Sequence, residues 1–162
     1  MFGILPEGHS PAGGCVLATC CEYRVMLPNF TIGLNETQFG LVAPPFIRAS
    51  FKNVLPARKA ELALCQGKMF SSKEALDVGL IDDMANTKEE GHAMSTKFLQ
   101  TFSNVNPAAR SPMKQQFRGK DLDELRRNKK KDMENYVKFV TQDHVQKRIG
   151  LYLEKLHNKT KK

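Results

Sequence analysis

The chain has 162 residues, 41% of them hydrophobic, which suits one folded domain and argues against a disordered polypeptide. No apolar run approaches the roughly 20 residues that a membrane-spanning helix requires, so no membrane span is expected. The net charge is +8, and residues 106–162 carry 16 Lys and Arg against 7 Asp and Glu, so the whole basic excess lies in the C-terminal part.

The first predicted element is a glycine-containing turn that opens into a small apolar helix. Residues 8–14 read GHSPAGG, and Pro11 favours the first turn of a helix over 11–21. A helix start presents unpaired N–H groups and a partial positive charge, which can stabilise an oxygen atom that gains negative charge. No strand is predicted ahead of this turn to hold it in place.

The middle of the chain alternates short strands with short helices, a pattern typical of the α/β class. Strands are predicted over 23–27, 30–32, 69–70 and 80–82, and helices over 46–54, 56–66 and 73–78. From residue 87 onward the pattern is helical, with helices predicted over 87–103, 107–117, 121–142 and 144–157.

The C-terminal helices carry two apolar stripes at helical spacing, and such stripes need a partner, either the α/β part or another subunit. We expect self-association. The stripes consist of Leu122, Leu125, Met133, Tyr136, Val137 and Val140, and of Val145, Ile149, Tyr152, Leu153 and Leu156. The basic run 126–131 predicts a solvated helix face; its alternatives are contact with nucleic acid, an acidic membrane surface or cofactor phosphates.

The four cysteines, at positions 15, 20, 21 and 65, match no zinc-binding spacing. We predict that the adjacent Cys20 and Cys21 are small buried thiols and not metal ligands, in a compartment that keeps thiols reduced.

Glu36 is the candidate base, and it follows Gly14 by 22 residues. Since apolar residues precede and follow it, we expect Glu36 to face an apolar cavity that raises its pKa, although an exposed loop position is the alternative. A carboxylate opposite the helix start could remove a proton beside a carbonyl while the N–H donor holds the enolate. The alternative role of Gly13 and Gly14 is close helix packing. Asn35 either orients Glu36 or shapes the turn, and His9 is predicted to be a turn residue.

Five segments together resemble the crotonase superfamily of enoyl-CoA hydratases and isomerases, and within it the mitochondrial enoyl-CoA isomerase branch. They are residues 8–15, 22–24, 32–40, 67–82 and 138–154, and they occur in order along nearly the whole chain.

The resemblance implies a partial crotonase spiral of ββα turns over 1–86 and a helical trimerisation region over 87–162. It implies an acyl-CoA substrate, a homotrimer and the mitochondrial matrix, with no metal or redox cofactor because CoA arrives with the substrate. By position, Gly13 supplies the second N–H of an oxyanion hole and Glu36 is the catalytic base.

The residue after Cys15 indicates which reaction of the superfamily applies. The hydratases carry a second glutamate there, whereas this chain has Val16. One carboxylate suffices to move a double bond, so the resemblance implies an isomerase in the oxidation of unsaturated fatty acids. The alternatives are hydration, thioester hydrolysis, or a non-catalytic relative that binds full-length subunits. A nucleic-acid binder ranks last because no binding motif accompanies the basic run.

Members of the superfamily also carry an earlier part of the spiral, including the loop with the first oxyanion donor. These 162 residues begin almost at the second donor. One oxyanion donor is worth about 10²–10³ in rate, so we expect this chain alone to be poorly active. We also expect it to be weakly stable, because the earlier strands of the spiral would cover apolar surface.

Overall fold

The computed structural model describes residues 3–160, which form a mixed α/β fold with a C-terminal helical region. The strands are β1 (Gly3–Ile4), β2 (Ser10–Pro11), β3 (Tyr23–Met26), β4 (Thr31–Gly33), β5 (Met69–Ser71) and β6 (Asp83–Met84). The α-helices are α1 (Gly13–Cys20), α2 (Pro45–Lys52), α3 (Ala57–Gln66), α4 (Ser72–Val78), α5 (Lys88–Gln100), α6 (Pro107–Val140) and α7 (Asp143–Thr160). A short 3₁₀ helix, η1, spans Glu36–Phe39.

The strands form two small sheets, with the orders β1-β3-β6 and β2-β4-β5. The first sheet is parallel throughout. In the second, β2 runs parallel to β4, with Pro11 opposite Gly33, and β4 runs antiparallel to β5, with Gly33 opposite Met69. Because β2 and β4 are parallel, the segments that follow them leave the sheet at the same edge.

Local sequence signals account for the helix boundaries around β5. Helix α3 ends at Gly67, whose φ of 59° is a left-handed conformation that glycine adopts without a steric penalty. Helix α4 begins with a capping box, in which the Ser71 hydroxyl accepts from the Glu74 N–H and the Glu74 carboxylate accepts from the Ser71 N–H. These two boundaries fix β5 between the two helices.

The main hydrophobic core lies between the second sheet and helices α1 to α4. Its fully buried members include Cys15, Ile32, Phe51 and Leu80. A smaller cluster forms where α5 packs on β1 and β3. The division of the chain at residues 86 and 87 remains a prediction.

The predicted break between helices 107–117 and 121–142 is wrong, because α6 is one helix of 34 residues. Gly119 lies inside it, where glycine costs roughly 1 kcal/mol relative to alanine. The Asp121 side chain does not cap a new helix; it accepts a hydrogen bond of 2.7 Å from the Asn53 side chain instead. Packing of α6 against α2 therefore overrides the local signal.

The predicted strand over 80–82 is also wrong. The Leu80 N–H donates to the Ala75 carbonyl at 2.8 Å, which keeps this segment in the turn that ends α4. Leu80 and Ile81 are apolar because the turn is buried in the core, and β6 begins only at Asp83. The expectation of no strand ahead of the glycine turn is corrected as well, since β1 pairs with β3.

The cysteines are free thiols, and only Cys15 is buried. Cys20 and Cys65 are exposed and Cys21 is partly buried, so the expectation that Cys20 and Cys21 are buried thiols is wrong. Cys20 is the last residue of α1.

Within residues 3–160, no helix combines the length and hydrophobicity needed to cross a bilayer.

Candidate active site

The candidate site lies at the edge of the second sheet where β2 and β4 end side by side. The Ala12 N–H donates to the Gly33 carbonyl at 2.9 Å, which extends the pairing of the two strands by one bond. Helix α1 then begins at Gly13, and η1 begins at Glu36 three residues after β4 ends. The sheet therefore delivers both predicted site residues to one edge.

Gly13 is exposed at the start of α1, and its N–H has no acceptor among the described residues. A Cβ added to Gly13 would meet no atom within 4 Å, so close packing against this chain does not explain the glycine. The preceding residue, Ala12, has a φ of 47°, an unfavourable conformation for a residue with a side chain. This turn directs the chain from the strand into the helix, whose first N–H, that of Gly13, has no acceptor among the described residues.

Glu36 lines a cavity of about 640 Å³ between the η1–α2 segment and α6. The wall is largely apolar, and burial raises the pKa of the Glu36 carboxyl above its ordinary value. The side chain is only partly buried, so a ligand can reach it. The cavity is lined, besides Glu36, by Val42, Pro44, Phe46, Ile47, Leu125, Arg126, Lys129, Asp132, Met133 and Tyr136.

Gly13 does not line this cavity. The relation between α1 and Glu36 is electrostatic and is seen at Cys15, two residues after Gly13. Cys15 lies in the first turn of α1, and its thiol pKa is raised to about 12, first by burial and second by the negative charge of Glu36. The structure thus places the Glu36 carboxylate within electrostatic range of the first turn of α1.

Helix α6 contributes the second wall of the cavity, which sequence reasoning did not assign to the site. Arg126 and Lys129, members of the basic run, line the cavity, as does a second carboxylate, Asp132. A usable signal was present, because Leu125, Met133 and Tyr136 belong to the predicted stripe and Asp132 adjoins it. The stripe was expected to face either the α/β part or another subunit, and part of it faces the η1–α2 segment of the same chain.

The other residues considered as site candidates have structural contacts. His9 is exposed, and its Nδ1 accepts from the Thr31 N–H at 3.2 Å. The Asn35 side chain is buried, and its Nδ2 donates to the Tyr152 hydroxyl of α7 at 3.3 Å.

The first turn of η1 is also held from the side of α3. The Thr37 hydroxyl donates to the Leu64 carbonyl, and the Gln38 side-chain amide donates to the Gly67 carbonyl, each at 2.8 Å. No group of three or more His, Cys, Asp or Glu side chains within residues 3–160 is arranged to hold a metal ion. The arrangement is suited to proton transfer by a carboxylate in an apolar cavity.

The raised pKa of Glu36 predicts a pH-dependent cost in stability. When the folded pKa of a carboxyl exceeds its unfolded value, the stabilisation is complete below the unfolded pKa and is lost as pH rises through the folded pKa. Glu36→Gln keeps the shape without the charge, so we expect the variant to gain thermal stability over the parent as pH rises from 4 to 8. Melting curves of both proteins across this range test it, and a difference that does not grow with pH would contradict it.

The fold and the cavity together define a class of protein: a crotonase-type α/β fold with a carboxylate opening onto an apolar cavity. The family model described as enoyl-CoA hydratase/isomerase matches residues 6–162. The chain belongs to this family, which confirms the resemblance found in the sequence.

Two curated relatives show where in the family the similarity is high. The chain is 38% identical over 155 residues to the mitochondrial enoyl-CoA delta isomerase 1 of Mus musculus, an alignment that covers 94% of this chain and 53% of the relative. It is 34% identical to the protein of that name from Homo sapiens, over 93% of this chain and 50% of the relative. The chain therefore spans about half the length of these relatives.

Solved structures agree with the fold. The human mitochondrial delta3-delta2-enoyl-CoA isomerase superposes with a TM-score of 0.87 at 34% identity, covering 94% of this chain and 59% of that one. An enoyl-CoA hydratase from Bacillus halodurans superposes with a TM-score of 0.75 at 24% identity, over 92% of this chain and 59% of that one, which supports the fold alone.

Proposed function

We propose that this protein is an enoyl-CoA isomerase that moves a 3-enoyl-CoA double bond to the 2-trans position, in the oxidation of unsaturated fatty acids. The observation that carries the proposal is the position of Glu36, at the start of η1 and in the wall of a largely apolar cavity. The similarity to relatives named enoyl-CoA delta isomerase supports it.

In the proposed mechanism Glu36 takes a proton from C2 of the substrate. The electron pair of the broken C–H bond delocalises into the thioester carbonyl and the C3–C4 double bond, giving a dienolate. The Gly13 N–H donates to the enolate oxygen, where an unpaired helix-start N–H stabilises negative charge. Protonated Glu36 then returns the proton to C4, so the double bond ends between C2 and C3 and the enzyme is regenerated.

The elevated pKa of Glu36 is suited to both halves of this cycle. A carboxylate at its ordinary pKa is a weak base, and burial makes it a stronger one while it remains able to release the proton again. No metal or redox cofactor takes part in this scheme, since the thioester of the substrate supplies the electron sink.

The proposal extends to assembly and location. The C-terminal helices expose apolar side chains, among them Met113, Phe117 and Leu153 at 54%, 79% and 54% exposure, which a homotrimer would cover. The mitochondrial matrix is proposed from the relatives, whose names carry the word mitochondrial.

Hydration of 2-enoyl-CoA is the second candidate, because Asp132 adds another carboxylate to the wall that contains Glu36. Two carboxylates could activate a water molecule and deliver a second proton. Against this candidate, Val16 occupies the position of the hydratases' other glutamate, and its side chain packs against the core.

To test the proposal, the protein is assayed with 3-enoyl-CoA and, separately, with 2-trans-enoyl-CoA as substrate. We expect 2-trans-enoyl-CoA from the first substrate and no 3-hydroxyacyl-CoA from the second, both followed by chromatography of the CoA products. Hydration faster than double-bond migration would overturn the isomerase proposal in favour of the second candidate.

A further inference from the structure

Tyr152 of α7 contacts both ends of the short helix that carries Glu36. Its hydroxyl accepts from Asn35 Nδ2 at 3.3 Å, just before η1 begins. Its ring stacks on Phe39, the last residue of η1, with ring centroids 4.6 Å apart and an interplanar angle of 30°. One side chain from the C-terminal end of the chain therefore clamps the whole of η1.

The Asn35 side chain is used for the contact with Tyr152 and not as a helix cap. Asn35 is in the N-cap position of η1, yet its side chain makes no capping hydrogen bond. The residue is only 8% exposed, so its amide requires a partner within the protein, and Tyr152 is that partner. Loss of the Tyr152 hydroxyl would leave a buried donor unsatisfied directly beside Glu36.

The position of Glu36 depends on the backbone of η1. Within residues 3–160, no other side chain forms a hydrogen bond or ion pair with the Glu36 carboxylate. Thr37 and Gln38 fix one side of η1 to the end of α3, and Tyr152 fixes the other side to α7. A catalytic carboxylate without side-chain partners is held in place only as well as the element that carries it.

We propose that Tyr152 is a positioning residue for Glu36, acting through its contacts with Asn35 and Phe39 at the two ends of η1. This inference rests on the proposed role of Glu36 as the base. Helix α7 would then help to position Glu36, in addition to any role in subunit assembly. Tyr152 acts at a distance, because it does not line the cavity that contains Glu36.

The test is Tyr152→Phe, which removes the hydroxyl and keeps the ring that stacks on Phe39. Glu154→Gln, an exposed change on the same helix, is the matched control. We expect Tyr152→Phe to lower kcat about ten-fold with KM nearly unchanged, because the lost hydrogen bond affects the base and not the binding surface. In an Asn35→Ala background the same substitution should cost no further kcat.

A second measurement does not depend on turnover. The Glu36 carboxyl is titrated by NMR in the parent and in Tyr152→Phe, with the Glu36→Gln spectrum for assignment. We expect the Glu36 pKa to fall toward its ordinary value in Tyr152→Phe, since a less firmly held carboxylate is better hydrated. Glu154→Gln should leave this titration as it is in the parent.

The outcomes separate positioning from a purely structural role and from the proposed function. A Tyr152→Phe protein that melts earlier but keeps the parental Glu36 titration overturns the positioning role, whatever its turnover. If Glu36→Gln retains parental turnover, the isomerase mechanism fails, and the titration still decides whether Tyr152 positions the carboxylate.

Discussion

Glu36→Gln is expected to lower the rate of 3-enoyl-CoA isomerisation by about 10³-fold, because general acid–base catalysis by one positioned group contributes about 10²–10⁴-fold. Glutamine has nearly the same shape and can still fill the cavity wall, but it cannot accept the C2 proton. The loss should appear in kcat, with KM little changed, since the charge of Glu36 is used in the transition state more than in binding.

The measurement is the initial rate of 2-trans-enoyl-CoA formation at saturating substrate, with Glu154→Gln as a control for an exposed carboxylate. Asp132→Asn discriminates between one base and two, because Asp132 belongs to the same cavity. A loss at Asp132 as large as the loss at Glu36 would contradict a mechanism with a single base. Parental turnover in Glu36→Gln would remove Glu36 from the mechanism altogether.

Gly33→Ala is expected to destabilise the protein by about 3 kcal/mol, the upper part of the range for overpacking a core. A Cβ at Gly33 would lie 2.3 Å from the Lys68 carbonyl oxygen and 3.1 Å from Met69 Cα. Both are backbone atoms, so no side-chain rotation relieves the clash, and β4 must move away from β5. Since the Gly33 carbonyl also accepts the Ala12 N–H, the movement disturbs the start of α1 as well.

Urea unfolding of the parent, Gly33→Ala and Gly119→Ala measures the effect. Gly119 lies inside α6 with no atom within 4 Å of an added Cβ, so alanine there should be neutral or stabilising by up to about 1 kcal/mol. A Gly33→Ala variant with the midpoint of the parent would show that β4 and β5 separate without cost, contrary to the packing described above.

These two predictions join stability and function at one strand. Gly33 ends β4, and the chain reaches Glu36 three residues later. The pairing of β4 with β5 therefore fixes the point from which the Glu36 segment leaves the sheet.

Local signals in the sequence were strong where backbone conformation depends on particular residues. The helices predicted to end at 66 and 78 do end there, each before a glycine with positive φ, Gly67 and Gly79. The helix predicted to begin at 73 starts one residue earlier, after a capping box of Ser71 and Glu74. The glycines correctly indicated a turn that opens into a helix, but the placement of Pro11 in the first helical turn was wrong, because Pro11 pairs with Gly33 in β2 and α1 begins only at Gly13. Such features depend on neighbours within a few residues, which the sequence displays directly.

The predictions failed where packing between distant segments overrides local preference. Separate helices were predicted over 107–117 and 121–142, yet α6 is continuous from Pro107 to Val140 and packs along α2. Leu80 and Ile81 have the composition of a strand, but their burial against the core is achieved in a turn. For Leu80 and Ile81, burial of apolar surface outweighs strand propensity. For α6, contact with α2, including the Asn53–Asp121 hydrogen bond, accompanies a helix that continues through one glycine.

The sequence by itself determined the α/β class, the family, and the two residues, Gly13 and Glu36, on which the proposed chemistry depends. Only the tertiary structure decided that α6 forms the far wall of the Glu36 cavity and that Tyr152, 117 residues beyond Asn35, contacts both ends of the segment that carries Glu36. Motifs and helix ends are encoded by adjacent residues, whereas a cavity wall or a clamp exists only after the chain has brought remote segments into contact.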